Sequence, residues 1–106
     1  MSDVMIGRPL KFRILEIYSD GKDIWSNDAV AQLMSEYKLN SDFQRDSVNF
    51  DLLEVMASGF IESTDTMIDA EGKFRKGALL YKFKITELGQ NQYKELVSKV
   101  KPKKGA

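Results

Sequence analysis

The chain has 106 residues, 42% of them apolar, which suits a single domain with one modest hydrophobic core. It contains no Cys and no His, so disulfide frameworks, thiol chemistry, Ser-His catalysis and His-based metal sites are excluded. Its 16 basic residues balance 16 acidic residues, and no apolar run approaches the roughly 20 residues of a membrane-spanning helix, so a cytoplasmic protein without membrane association is expected.

The limits of the folded part follow from where the apolar pattern begins and ends. Residues 1–7 are expected to form a flexible N-terminus, and a single domain is expected over residues 8–100. Residues 101–106 contain three Lys and no apolar periodicity, which predicts a basic disordered tail.

The first half of the domain is predicted to contain two helices separated by a short extended segment. The first helix begins at Pro9, which is tolerated at a first helical position, and ends near Gly21. Residues 24–25 are long enough only for one rung at the edge of a sheet. The second helix is predicted to be capped by Ser26 or Asn27, because hydroxyl and amide side chains accept hydrogen bonds from the first free backbone N–H groups.

The third helix has the clearest predicted boundaries. Ser41 and Gln44 have the Ser-x-x-Gln spacing of a capping box, and Gly59 supplies a left-handed stop after Ser58. The expected inner stripe of this helix is Val48, Leu52, Val55 and Met56.

Two strands and a last helix complete the domain. Residues 60–68 and 79–85 are rich in β-forming side chains and flank a connector at 69–77, which predicts a hairpin. A fourth helix is expected to start at Thr86 and to close the core against the first helix. Its apolar side consists of Leu88, Tyr93, Leu96, Val97 and Val100.

Charge is distributed unevenly along the chain. Residues 1–70 hold 6 basic and 13 acidic residues (6 − 13 = −7), whereas residues 71–106 hold 10 basic and 3 acidic residues (10 − 3 = +7). The hairpin end of the molecule is therefore predicted to be positive, although the whole chain is neutral.

Two helices joined by a short turn and followed by a hairpin are typical of a helix-turn-helix with a wing. The segments Ala-Ser-Gly-Phe-Ile-Glu-Ser at 57–63 and Tyr-Lys-Phe-Lys-Ile-Thr-Glu-Leu-Gly at 81–89 resemble the end of the recognition helix and the wing of winged-helix regulators of the MarR and PadR groups. The expected fold class is α+β, a winged helix-turn-helix in the order helix, short strand, helix, helix, strand, wing, strand, helix. The resemblance implies a transcriptional regulator that binds double-stranded DNA as a homodimer, with the third helix in the major groove and the wing on the phosphate backbone.

The resemblance also implies which side chains of the third helix face the groove. These are Gln44, Arg45, Ser47, Asn49 and Phe50. Gln and Asn pair with adenine, Arg with guanine or phosphate, and Ser with either kind of group. The alternative interpretation is that these polar residues form an ordinary solvated helix face.

The connector supplies the candidate phosphate contacts. Lys73, Arg75 and Lys76 fall within four residues and are interleaved with Phe74, and Lys82 and Lys84 alternate on the returning strand. Basic side chains that neutralise phosphates give nonspecific, salt-dependent affinity for DNA. The alternative to a DNA-binding role is that the loop is polar because hairpin tips are exposed to solvent. In that case the strand lysines protect an edge of the sheet from aggregation.

The third helix departs from a DNA-binding pattern in two respects. It carries Asp42, Asp46, Asp51 and Glu54 against a single Arg, and Phe43, Phe50, Leu53 and Ala57 form a second apolar arc. An apolar patch left in water is an interaction site by default. The second hypothesis is therefore a winged-helix module that binds a protein partner, or itself, through this helix.

An enzymatic function is not expected, although a carboxylate or Lys site remains formally open. Asp65, Asp69 and Glu71 form the only local acidic cluster that suggests a site for a hard cation, and they lack the order of a calcium-binding loop. We interpret them as a strand face that runs into a turn. No glycine-rich phosphate-binding loop occurs, so neither cofactor nor metal is expected.

Overall fold

The computed structural model of the protein describes residues 9–100, so the predictions for residues 1–7 and 101–106 lie outside the described residues. The described part is a small α+β fold with four helices and a three-stranded antiparallel sheet, a layout consistent with a winged helix. The elements in chain order are α1 (Leu10–Tyr18), β1 (Ile24–Trp25), α2 (Ser26–Tyr37), α3 (Asp42–Ala57), β2 (Ile61–Ile68), β3 (Leu79–Ile85) and α4 (Glu87–Val100).

The sheet places β3 between the two other strands. Its order is β1-β3-β2, and both pairings are antiparallel. β1 pairs with β3 at the edge of the sheet as the sequence predicts, through two residue pairs, Ile24 with Phe83 and Trp25 with Lys82. The pairing of β2 with β3 shifts register between Ser63 and Asp65, so one residue of β2 bulges out of the ladder.

The core is formed by the inner faces of α1, α2, α3 and the sheet. Val48, Leu52 and Val55 of the predicted α3 stripe are each at most 3% exposed, and Met56 packs half-buried against them. α4 covers this core from the outside, since the rings of Phe12 and Tyr93 lie 5.9 Å apart. The fourth-helix prediction is wrong for Leu88, which is 54% exposed and lies beside Gly59, where α3 has already ended.

The boundaries of α3 are as the sequence predicts. The Ser41 hydroxyl accepts a hydrogen bond from the Gln44 N–H, and the Gln44 side chain accepts one from the Ser41 N–H, which completes the capping box. Gly59 then takes a φ of +86°, a left-handed conformation that favours glycine, and the chain turns into the sheet.

The predicted cap of α2 is wrong. The helix includes Ser26, follows Trp25 and has no side-chain cap. The Ser26 hydroxyl instead accepts a hydrogen bond from the Tyr81 N–H of β3 (3.1 Å) and is buried. A tertiary contact with the sheet therefore replaces the local cap that the sequence indicates.

The hairpin base, which we define as Phe60, Thr86 and Gly89, joins the sheet to α4. The Thr86 Oγ1 donates to the Gly59 carbonyl oxygen (2.7 Å) and accepts from the Gly89 N–H (2.9 Å), so Thr86 marks the start of α4 as predicted. A Cβ atom on Gly89 would lie 2.0 Å from the Phe60 carbonyl oxygen. Only glycine lets α4 approach the hairpin this closely.

No helix within residues 9–100 is long and apolar enough to cross a membrane.

Candidate nucleic-acid interface

The hairpin loop, residues 69–77, is built around a single carboxylate. Asp69 is 2% exposed, and its two oxygens accept hydrogen bonds from four consecutive backbone N–H groups. Its Oδ1 accepts from Gly72 (2.9 Å) and Lys73 (2.8 Å), and its Oδ2 accepts from Phe74 (2.7 Å) and Arg75 (2.8 Å). The loop therefore presents its basic side chains from an ordered backbone.

The environment of Asp69 favours the ionised carboxyl group. Burial alone would raise the pKa of Asp69, but the four backbone N–H donors outweigh it and hold the pKa below its ordinary value. The carboxylate therefore keeps its charge and its four hydrogen bonds at neutral pH.

Phe74 brings the hairpin loop against α3. Its half-buried ring packs on the hydrophobic core, and two guanidinium groups lie near it. The central carbon of the Arg45 guanidinium is 4.8 Å from the ring centroid, and that of Arg75 is 5.1 Å away. Residues 45 and 75, which come from separate elements, therefore share one aromatic contact.

The same two arginines form ion pairs with acids of α3. The Arg75 Nη2 lies 2.5 Å from the Asp46 Oδ1, and the Arg45 guanidinium lies 3.6 Å from both Asp42 and Asp46. The Arg45 side chain is only 25% exposed, and its Nε is buried without a hydrogen-bond partner in the described chain. Two of the predicted DNA contacts are thus partly neutralised within the protein.

The remaining basic residues of the hairpin differ in which side chains surround them. Lys73 and Lys76 are exposed and form no ion pair within residues 9–100. Lys84 lies opposite Glu62 in the ladder, and Lys82 lies opposite Asp65 with its Nζ 5.8 Å from the Trp25 ring centroid. Neither strand lysine forms an ion pair within residues 9–100, so the unpaired charges lie both at the loop (Lys73, Lys76) and on β3 (Lys82, Lys84).

The predicted groove-facing residues of α3 lie on different sides of the helix. Arg45 and Asn49 are one turn apart and share the flank nearest the hairpin loop. Ser47 is exposed and lies one turn from Phe43. Gln44 is occupied by the capping box, since its Oε1 accepts from the N–H groups of Asn40 and Ser41.

The outer face of α3 carries two exposed aromatic rings. Phe43 is 81% exposed and Phe50 is 59% exposed, and no described element covers them. Asp46 lies between them, three residues after Phe43 and four before Phe50, so the three side chains share one face. The centre of the outer face is therefore apolar and acidic.

Three residues of this interface are not identified as functional by the sequence. Asp69 is interpreted there as a turn residue, Phe74 as a spacer between cations, and Asp46 as one of four helix acids. The only local signal is that Asp69 stands between a strand and a Gly-containing loop, which is a position where Asp commonly accepts backbone hydrogen bonds. The partners of Phe74 and Asp46 are set by tertiary structure.

Two further features bear on ligands. Residues 9–100 contain no group of three or more Asp, Glu, His or Cys side chains that could hold a metal ion. A shallow apolar cleft of 210 Å³ lies between α1, α3 and α4, and the 2.6 Å ion pair of Lys11 with Glu54 lies at its edge.

Comparison with protein-family models, with curated proteins and with solved structures finds no match to this chain.

Proposed function

We propose that this protein is a small winged-helix transcriptional regulator that binds double-stranded DNA, with α3 in the major groove and the hairpin loop on the phosphate backbone. The observation that carries the proposal is the cluster of Arg45 and Arg75 around Phe74, with Lys73 and Lys76 beside it. Arg45 of α3 and Arg75 of the hairpin loop thereby meet at one aromatic ring, and Lys73 and Lys76 are exposed on the same loop as Arg75.

The order of the hairpin loop supports this role. A loop that contacts phosphates binds more tightly when its conformation is already fixed, because less conformational entropy is lost on binding. The four hydrogen bonds to Asp69 fix the backbone of residues 72–75 before any ligand is present. The cytoplasmic location, the homodimer and the resemblance to MarR and PadR regulators belong to the same proposal.

The direct test is the electrophoretic mobility of a labelled random duplex over a salt series. Binding is expected at low salt and is expected to weaken steeply as salt rises, with a slope of about −0.9 per phosphate contact on a double logarithmic plot. Reversal of Lys73, Arg75 and Lys76 to Glu is expected to abolish binding.

A matched control separates this site from net charge. Lys22, Lys94 and Lys99 lie outside the proposed interface, and their reversal to Glu changes the net charge by the same amount. Equal loss of binding in the two triple variants would contradict the proposed site. No binding by the wild-type chain at low salt would contradict the function.

A second function, a protein-interaction module, is favoured by the exposure of Phe43 and Phe50. In this case α3 binds a protein partner or a second copy of the chain. Sedimentation velocity over a concentration series is then expected to show self-association that is lost when both residues are changed to Ser. This function also requires that duplex binding is absent at low salt.

A further inference from the structure

One carboxylate, Asp46, lies near both arginines of the proposed DNA surface, and Arg45 has a second acidic neighbour in Asp42. Asp46 Oδ1 lies 2.5 Å from the Arg75 Nη2 and 3.6 Å from the Arg45 Nη2. The two guanidinium groups also contact the same Phe74 ring, so a change at Asp46 reaches α3 and the hairpin loop together.

The position of Asp46 makes this pairing relevant to DNA. It stands between Phe43 and Phe50 at the centre of the outer face, and its side chain is 49% exposed. A phosphate that approaches Arg75 or Arg45 must compete with this carboxylate and is repelled by it. The wild-type surface therefore offers fewer free cations than its sequence suggests.

We propose that Asp46 is a specificity-determining residue, which holds Arg45 and Arg75 in ion pairs and so suppresses binding to unrelated duplex. This inference rests on the proposed function. A duplex with the correct bases releases the arginines because its other contacts compensate for the lost ion pairs, whereas an unrelated duplex does not supply those contacts. Specificity is a difference between affinities, so weakening the nonspecific complex raises it.

The test compares Asp46→Asn with the wild-type chain on random duplex over a salt series. Each phosphate contact that is gained strengthens binding by about tenfold at 0.1 M salt and adds about 0.9 to the slope of log affinity against log salt. The substitution frees Arg75, whereas Arg45 keeps its ion pair with Asp42, so we expect about a tenfold gain and a slope steeper by about 1. The ratio of affinities for a duplex selected from a random library and for random duplex should fall.

Asp51→Asn is the matched control. Asp51 lies on the same helix, and its charged neighbours are Lys11 and Glu54 rather than an arginine of the proposed DNA surface. Its substitution is expected to change the affinity for random duplex by less than about twofold, since a charge away from the contact is largely screened by salt. Asp46→Ser serves as a second variant, and far-UV circular dichroism checks that each variant is folded.

A second set of variants tests whether Asp46 affects duplex binding through Arg45 and Arg75. In a background with Arg45→Gln and Arg75→Gln, the substitution Asp46→Asn is expected to give no gain. A gain that persists in this background means that Asp46 only repels phosphate directly, and it overturns the proposal.

The remaining outcomes are separable. If the wild-type chain binds and neither Asp46 variant binds more tightly, or if Asp51→Asn gives an equal gain, the role of Asp46 is overturned and the DNA-binding function stands. If neither the wild-type chain nor the Asp46 variants bind duplex at low salt, the DNA-binding function itself is overturned, and this inference with it.

Discussion

The two ends of the hairpin are held by different kinds of interaction. At the hairpin base, α4 and the Phe60 carbonyl approach so closely that a Cβ on Gly89 would overlap the oxygen. At the hairpin loop, the backbone is held by four hydrogen bonds to one buried carboxylate. The base therefore combines a close backbone approach with the hydrogen bonds of Thr86, whereas the loop backbone depends on one carboxylate. We expect a change at Asp69 to loosen the loop without unfolding the domain.

The largest effect is expected at the hairpin base. Gly89→Ala places a methyl group 2.0 Å from the Phe60 carbonyl oxygen and 2.8 Å from the Ile85 Cγ1. Overpacking of this kind costs about 3 kcal/mol, which exceeds the gain of about 1 kcal/mol in helix propensity when Ala replaces Gly. Urea denaturation should therefore show a net loss of about 2 kcal/mol or more.

Asn91→Ala is the control for this prediction, because Asn91 lies on the exposed side of the same helix. It should leave the free energy of unfolding unchanged or raise it by up to about 0.7 kcal/mol. If Gly89→Ala is as stable as Asn91→Ala, then α4 does not approach the Phe60 carbonyl oxygen as closely as described.

A smaller and local effect is expected at the hairpin loop. Asp69→Asn leaves one carbonyl oxygen in place of two carboxylate oxygens, so some of the four N–H groups lose their acceptor. Amide hydrogen exchange at residues 72–75 should accelerate by at least about tenfold, while the amides of α3 and β3 keep their protection.

Asp65→Asn provides the comparison, because Asp65 is exposed on β2 of the same hairpin. Its substitution should leave exchange at residues 72–75 unchanged. Equal exchange in Asp69→Asn and the wild-type chain would mean that the loop is held by something other than this carboxylate.

The smallest expected effect is the pH dependence of amide exchange in the hairpin loop, because Asp69 changes its charge only in acid. Its pKa is lower in the folded protein than the ordinary value of about 3.9, so its stabilisation is complete above about pH 4. That stabilisation is lost as the pH falls below 4 and through the lowered pKa. Exchange at residues 72–75, corrected for its intrinsic pH dependence, should therefore be constant from pH 7 to 5 and accelerate only in stronger acid.

The Asp69→Asn variant should lack this acid-dependent step. A step centred near pH 6, or one that persists in the variant, would exclude Asp69 as its source.

The sequence predicts those features that depend on neighbouring residues. The capping box of Ser41 and Gln44 and the stop at Gly59 are local, and the structure has them where they are predicted. The cap at Ser26 is wrong because the Tyr81 N–H, 55 residues away, uses the hydroxyl. The exposure of Leu88 is not predictable from helical periodicity, because periodicity does not show where the neighbouring helix ends.

The candidate site also combines features set by neighbouring residues with features set by tertiary contacts. The cationic character of the hairpin loop is predictable because Lys73, Arg75 and Lys76 are close in sequence. The pairing of Arg75 with Asp46, 29 residues apart, depends on how the hairpin lies against α3, and no local pattern predicts it. Sequence alone therefore gives the sign of the charge at the loop but overestimates how much of it is free.

The bulge in β2 has a consequence for the behaviour of the protein in concentrated solution. β2 lies at one side of the sheet, so its outer backbone groups could pair with a strand of another molecule. The break in the ladder between Ser63 and Asp65 interrupts that row of groups and bends the strand. The bulge divides this eight-residue edge into two shorter pieces, which reduces its capacity to pair with a strand of a second chain.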